Sequence, residues 1–117
     1  MIVEQRTYTL HPGNIPSFMA LYQSEGMPVQ RQYLKRMLGY YISEVGELNQ
    51  LVHLWGYDSF EDRLKVRQQM RSDPAFQDYW KKVQPLIQHQ KTCILLPAPV
   101  FSQRLDNFVE LIDASQT

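Results

Sequence analysis

The hydrophobic positions of this chain switch repeatedly between a period of two and a helical period, and the switches divide it into elements. Residues 2–10, IVEQRTYTL, alternate, are rich in β-branched and aromatic types, and stop at the turn cluster HPGN, which predicts a first strand. From Asn14, a candidate N-cap, Ile15, Phe18, Met19 and Tyr22 recur at helical spacing. EGMP at 25–28 breaks this helix, and a shorter segment resumes over 29–35. LGYYISEV at 38–45 reads as a second strand, and LNQLVHLWGYDS, within 48–59, reads as a third that pairs with it as a hairpin across GELN. Ser59 followed by Asp62 resembles a capping box and opens a helix carrying Phe60, Leu64 and Met70. RSDPAF restarts the chain, with Ser72 or Asp73 as cap and Pro74 in the first turn. The helix that follows has the cleanest stripe, Phe76, Tyr79, Trp80, Val83, Leu86 and Ile87, which reads as core packing, and Pro85 bends or ends it. KTCILLPAP at 91–99 is a fourth strand, closing a domain at 1–100. Residues 101–117 form a tail expected to add a strand to a neighbour or to fray.

Strand, helix, strand, strand, helix pair, strand is the βαββαβ order of an α+β, ferredoxin-like fold with an antiparallel sheet. Helices then cover one sheet face and leave the other open. Alternation separates Leu48, Val52 and Leu54 from Leu51, His53, Trp55 and Tyr57, and Val3 from Glu4, Arg6 and Tyr8. With the aliphatic set placed beneath the helices, the aromatic and ionisable set falls on the open face. A face of that kind calls for a partner, and a two-fold homodimer that presses two sheets together into a dimeric α/β barrel supplies one.

Charge and composition narrow the function. Twelve Lys and Arg balance twelve Asp and Glu over 117 residues, without a basic stripe, so nucleic acid is not an expected partner. No stretch approaches the roughly 20 apolar residues of a membrane span, and MIVEQRTYTL lacks the features of a signal peptide, so a soluble, cytoplasmic protein without a membrane partner is expected. The single Cys93 cannot form an internal disulfide and is expected to be a buried strand residue.

Three segments, EQRTYTLHPGNIPSF, LGYYISEVGELNQLVHLWGYDSFEDR and DPAFQDYWKKVQPLI, resemble the NIPSNAP family, over roughly residues 2–97. Glu4, Arg6, Thr7, Tyr8, Gly13, Gly39, Asn49, His53, Trp55 and Asp58 match its pattern, whereas Gln5 stands where that family is usually apolar. The resemblance implies a ferredoxin-like subunit that dimerises through its sheet and encloses a cavity, in a family whose activity is largely undefined.

The candidate binding residues are Glu4, Arg6, Tyr8, Tyr40, His53, Trp55 and Tyr57. His53 titrates near neutrality when unperturbed, at a pKa of about 6.5, and so is a candidate for proton transfer. Arg6 either pairs with Glu4 or binds a substrate carboxylate that Glu4 helps to position. The three histidines lack metal-ligand spacing, and no phosphate loop, nucleophile elbow or dinucleotide fingerprint occurs, so neither a metal nor a cofactor is expected. Two classes of function remain. One is a homodimer or higher homo-oligomer that binds a small molecule in a pocket between the sheet face and the helices or the partner sheet, with a cofactor-independent monooxygenase-like enzyme as its catalytic variant; the other is a protein-interaction or assembly module acting through an exposed strand or the tail. Whether the chain catalyses a reaction stays open at this level.

Overall fold

The computed structural model describes residues 1–116, so Thr117 of the predicted tail lies outside the described residues. The elements are β1 (Ile2–Leu10), α1 (Ile15–Leu21), a π-helical turn (Tyr22–Gly26), α2 (Met27–Gln30), β2 (Met37–Ile42), β3 (Gln50–Tyr57), α3 (Phe60–Arg71), α4 (Pro74–Val83), a 3₁₀ turn (Gln84–Leu86), β4 (Ile87–Leu95) and α5 (Pro99–Ser115). The four strands form one antiparallel sheet in the order β2-β3-β1-β4. This is the predicted α+β, ferredoxin-like arrangement.

Local chemistry sets several boundaries. Ser59 Oγ accepts from the Asp62 backbone N–H at 3.1 Å, and Asp73 Oδ1 accepts from the Ala75 N–H at 2.9 Å with Pro74 following it, so α3 and α4 begin at the expected caps. Asn14 precedes α1 without capping it through its side chain. Pro85 sits in the 3₁₀ turn, where α4 ends. The hairpin loop between β2 and β3 places Gly46 at φ 94° and Asn49 at φ 62°, both in the left-handed region that Gly and Asn tolerate best.

Two features differ from expectation. The tail is not a strand: Pro99–Ser115 is helical, with Leu105 and Val109 buried in neither of the two clusters beneath the other helices. Cys93 is exposed rather than buried, because it lies on the edge strand β4 and shares with its partner Gln5 the sheet face turned away from α1–α4. Among the described residues, no helix is long and apolar enough to cross a membrane.

The larger difference is which sheet face the helices cover. Leu51, His53, Trp55 and Tyr57 are all buried, as are Ile2, Glu4, Tyr8 and Leu10, and the hydrophobic members among them share clusters with Phe18, Tyr22, Met70, Tyr79 and Val83 from the helical layer. Val52 and Leu54, both half-buried, take the opposite face, beside Gln5 and Thr7, of which Thr7 is itself buried. The assignment of faces made from aliphatic content is therefore inverted. Its physical cause lies in α3, whose covered positions Arg63, Arg67 and Met70 follow i, i+4, i+7 spacing, whereas Phe60 and Leu64 are more than half exposed. A helix lined with guanidiniums requires a carboxylate beneath it, and Glu4 occupies that place.

Candidate functional site

Register brings the ionisable and aromatic residues together. In the covered layer Glu4 lies opposite Trp55, and Arg6 lies between His53 and Thr92, while His53 also faces Tyr40 of β2. All seven candidate residues, Glu4, Arg6, Tyr8, Tyr40, His53, Trp55 and Tyr57, therefore occupy one connected patch beneath the helices. They divide into an ion cluster and a cavity wall.

Glu4 centres the ion cluster and is fully buried. Its Oε2 accepts from Arg63 Nε at 2.7 Å and from Arg6 Nη1 at 3.4 Å; its Oε1 accepts from the Tyr57 hydroxyl at 3.1 Å and lies 3.5 Å from Arg67 Nη1. Arg63 also reaches Oε2 through Nη2. Burial pushes the Glu4 carboxyl upward, but Arg67, Arg6 and Arg63 outweigh it and hold the group below its ordinary value. Burial, with the Glu4 charge beside it, pushes the Tyr57 phenol up to about 12. The sequence reading anticipated the Glu4–Arg6 pair but missed Arg63 and Arg67. Their i, i+4 spacing, in line with Met70 at i+7, was the available signal.

His53 belongs to the cavity wall. Trp55 Nε1 donates to His53 Nδ1 at 2.7 Å, which leaves the neutral ring's proton on Nε2. Tyr40 stacks on the imidazole at 4.7 Å and 10°, and Tyr8 meets it edge-on at 4.8 Å. Burial, reinforced by the positive charges of Arg6 and Arg67, pushes the His53 pKa down to about 3, so the ring is neutral at neutral pH. Among the described residues, Nε2 is the buried side-chain nitrogen or oxygen with no hydrogen-bond partner. Such groups are rare because each leaves a desolvated donor unmatched.

The His53 residue lines a cavity of about 280 Å³ between sheet and helices, with Nε2 itself tucked beneath its surface. Arg6, Tyr8, Tyr40 and His53 form its floor, Tyr22 and Gln30 one side, and Arg67, Phe76, Tyr79 and Trp80 its cover. The α4 stripe thus packs the core, as predicted, and also walls the cavity. The break at EGMP contributes too: the π-helical turn ending at Gly26 presents Tyr22, whose hydroxyl donates to Gln30 Oε1 at 2.5 Å. A larger groove of about 490 Å³ lies elsewhere, around Arg36, whose guanidinium is already held by Asp58 at 2.6 Å and Asp113 at 3.0 Å. No group of three or more His, Cys, Asp and Glu able to hold a metal ion occurs among the described residues.

The NIPSNAP family model matches residues 3–103 of this chain. The chain belongs to the NIPSNAP family. Related proteins include the NipSnap homolog of Dictyostelium discoideum, 31% identical over 94 residues, and NipSnap homolog 2 of Danio rerio, 28% identical over 96 residues. The matches take in 80% and 82% of this chain but only 41% and 33% of those relatives. Among solved structures, a NIPSNAP family protein of unknown function from Agrobacterium tumefaciens superposes with a TM-score of 0.82 at 35% identity, covering 84% of this chain and 88% of that one. A NIPSNAP-like domain protein from Burkholderia xenovorans gives 0.81 at 41% identity, covering 84% and 85%. A putative antibiotic biosynthesis monooxygenase from Nitrosomonas europaea shares the fold at a TM-score of 0.59 and 10% identity, covering 83% and 98%. For this NIPSNAP chain, that last likeness establishes the fold alone.

Proposed function

We propose that this NIPSNAP protein binds a small molecule in the cavity between its sheet and helices, and that a ligand atom accepts the hydrogen bond His53 Nε2 has to give. The unpartnered, buried Nε2 carries the reading, since its residue lines the cavity and an acceptor seated against the ring, after a small shift of the wall, would offset its desolvation. The pocket is enclosed within one subunit rather than laid across the open sheet face. A small-molecule library screened by thermal melting tests this, because a ligand that binds only the native state raises its melting temperature. Hits that stabilise the parent protein and not His53→Phe support the site. Hits that stabilise both equally place binding elsewhere and sink the proposal.

Homodimerisation belongs to the same proposal on different grounds from the inverted ones. The open face carries Tyr41 at 59% exposure and Leu95 at 42%, beside Val52 and Leu54, and a second copy of this sheet would cover them. A monomer in sedimentation equilibrium at micromolar concentration would remove that part.

The monooxygenase-like alternative draws on the fold likeness and on His53, which lines the cavity with Trp55 bonded behind it. It needs a group that takes a proton from substrate, and His53 is a poor base with its pKa held to about 3. Binding is therefore the better-supported reading. The interaction-module alternative, through an exposed strand or the tail, would use the tail as the helix α5 rather than as an added strand.

A further inference from the structure

Resting on that reading of the cavity, we infer that its ligand is a planar organic acid, with a carboxylate held by Arg6 and Arg67 and an unsaturated body held among the tyrosine rings. The first observation is charge. Arg6, Arg63 and Arg67 converge on the single carboxylate of Glu4, so three positive charges against one negative leave the cluster at +2. The cavity wall offers no further balance, since Arg6, Arg67 and Arg71 line it and no Asp or Glu does.

Those charges have little access to water. The Arg6 and Arg67 side chains are 13% and 10% exposed, so bulk solvent screens them weakly, and an entering anion replaces hydration they have already lost. Arg6 spends Nη1 on Glu4 and Nε on the Tyr8 hydroxyl, and a guanidinium carries five N–H donors, so capacity remains. Its planar fork fits a carboxylate edge.

The second observation is shape. Tyr40 stacks parallel to the His53 ring while Phe76 stacks on Trp80, giving the cavity flat aromatic surfaces on opposite layers, β2–β3 below and α4 above. A volume of about 280 Å³ falls just under the roughly 300–1,000 Å³ of drug-sized sites, which suits a molecule of one or two rings. His53 Nε2–H then supplies a neutral donor to a second acceptor on that body, such as a carbonyl or phenol oxygen.

Two matched pairs separate charge from shape: benzoate with benzamide, and 2-naphthoate with 2-naphthamide, titrated by calorimetry at neutral pH into the parent protein and Arg67→Met. This variant leaves Arg6 and Arg63 on Glu4, and its circular dichroism melt verifies folding. The acids are expected to bind at least about tenfold more tightly than the amides, and Arg67→Met is expected to erase that difference. The His53 Nε2–H proton resonance is expected to move on acid binding. Amides that bind as well as acids, or an Arg67→Met protein that keeps the preference, overturn the anion assignment while leaving the pocket standing. Failure of all four probes up to about 10 mM overturns the pocket and this inference together.

Discussion

At the scale of single residues, Glu4 is where the energetics concentrate. A carboxylate without solvent contact is tolerable only with partners, and here Arg63, Arg67, Arg6 and Tyr57 supply them. Glu4→Gln preserves the shape and removes the charge, leaving three guanidiniums facing one another. It is expected to cost about 3 kcal/mol in urea unfolding, the low end for a broken buried pair, because Arg63 at 20% exposure can rehydrate. A loss below about 1 kcal/mol would mean the cluster is solvated in solution. His53 yields a prediction in pH. Its folded pKa of about 3 lies below the ordinary 6.5, so between those values the unfolded chain binds a proton that the folded chain does not. Stability contributed by the neutral ring is thus complete above pH 6.5 and falls as pH drops toward 3, by about 1.4 kcal/mol for each pH unit inside the window. Arg6 and Arg67 are the charges acting on the ring. Glu4, whose pKa is lowered from 4.5, adds its own loss only below that value, so the interval from pH 6.5 to 5 isolates the histidine. Denaturation midpoints across it should slope for the parent protein and be flatter for His53→Gln; equal slopes would show that His53 is not buried as a neutral ring.

At the scale of elements, the π-helical turn between α1 and α2 links a sequence feature to the cavity. A Cβ at Gly26 would sit 2.4–2.8 Å from ring atoms of Tyr79, which is itself fixed by burial and by Tyr22 and Phe76. Gly26→Ala gains about 1 kcal/mol of helix propensity and incurs overpacking of about 1–3 kcal/mol. We expect net destabilisation, together with a changed near-ultraviolet circular dichroism spectrum as Tyr79 moves. A more stable variant with an unchanged spectrum would show that the turn opens at no cost. This element was legible as the EGMP break, although its conversion to a π turn was not, since Gly and Pro mark an interruption without specifying its hydrogen bonding. Strand order, the α3 and α4 caps and the shared face of Glu4, Arg6 and Tyr8 with that of His53, Trp55 and Tyr57 were legible as well, because alternation and capping are local. The face was not. Alternation groups Glu4 with Arg6, and His53 with Trp55, but leaves open which group is buried, and that choice depends on Arg63 and Arg67 arriving from 59 and 63 residues away. Aliphatic content favoured Leu48, Val52 and Leu54 for the core, whereas ion pairing and aromatic packing carried the other face inward.

At the scale of the whole molecule, α5 closes the structure. The family match ends at residue 103, so most of this helix lies beyond it. It leaves the β4 edge of the sheet and reaches the opposite edge, where Asp113 meets Arg36 just ahead of β2 and the Gln116 side-chain amide donates to the Lys35 carbonyl. Seventeen residues at 1.5 Å rise span about 25 Å, enough to cross four strands spaced about 4.8 Å apart. Two kinds of contact hold it there, and magnitude separates them. Arg36 bonds Asp113 through both Nε and Nη2, yet Asp113 is 46% exposed, and exposed pairs contribute about 0–1 kcal/mol. Leu105 and Val109 are each 4% exposed, and truncating a buried leucine costs about 2–5 kcal/mol. Leu105→Ala is therefore expected to destabilise the protein by at least 2 kcal/mol more than a buffer-matched control, and Arg36→Met by under about 1 kcal/mol. Amide exchange localises the effect: Leu105→Ala should speed exchange throughout α5 while β1 and β3 keep the protection set by global stability. Were Arg36→Met the more damaging change, α5 would be held by its ion pairs, and its docking would weaken with added salt.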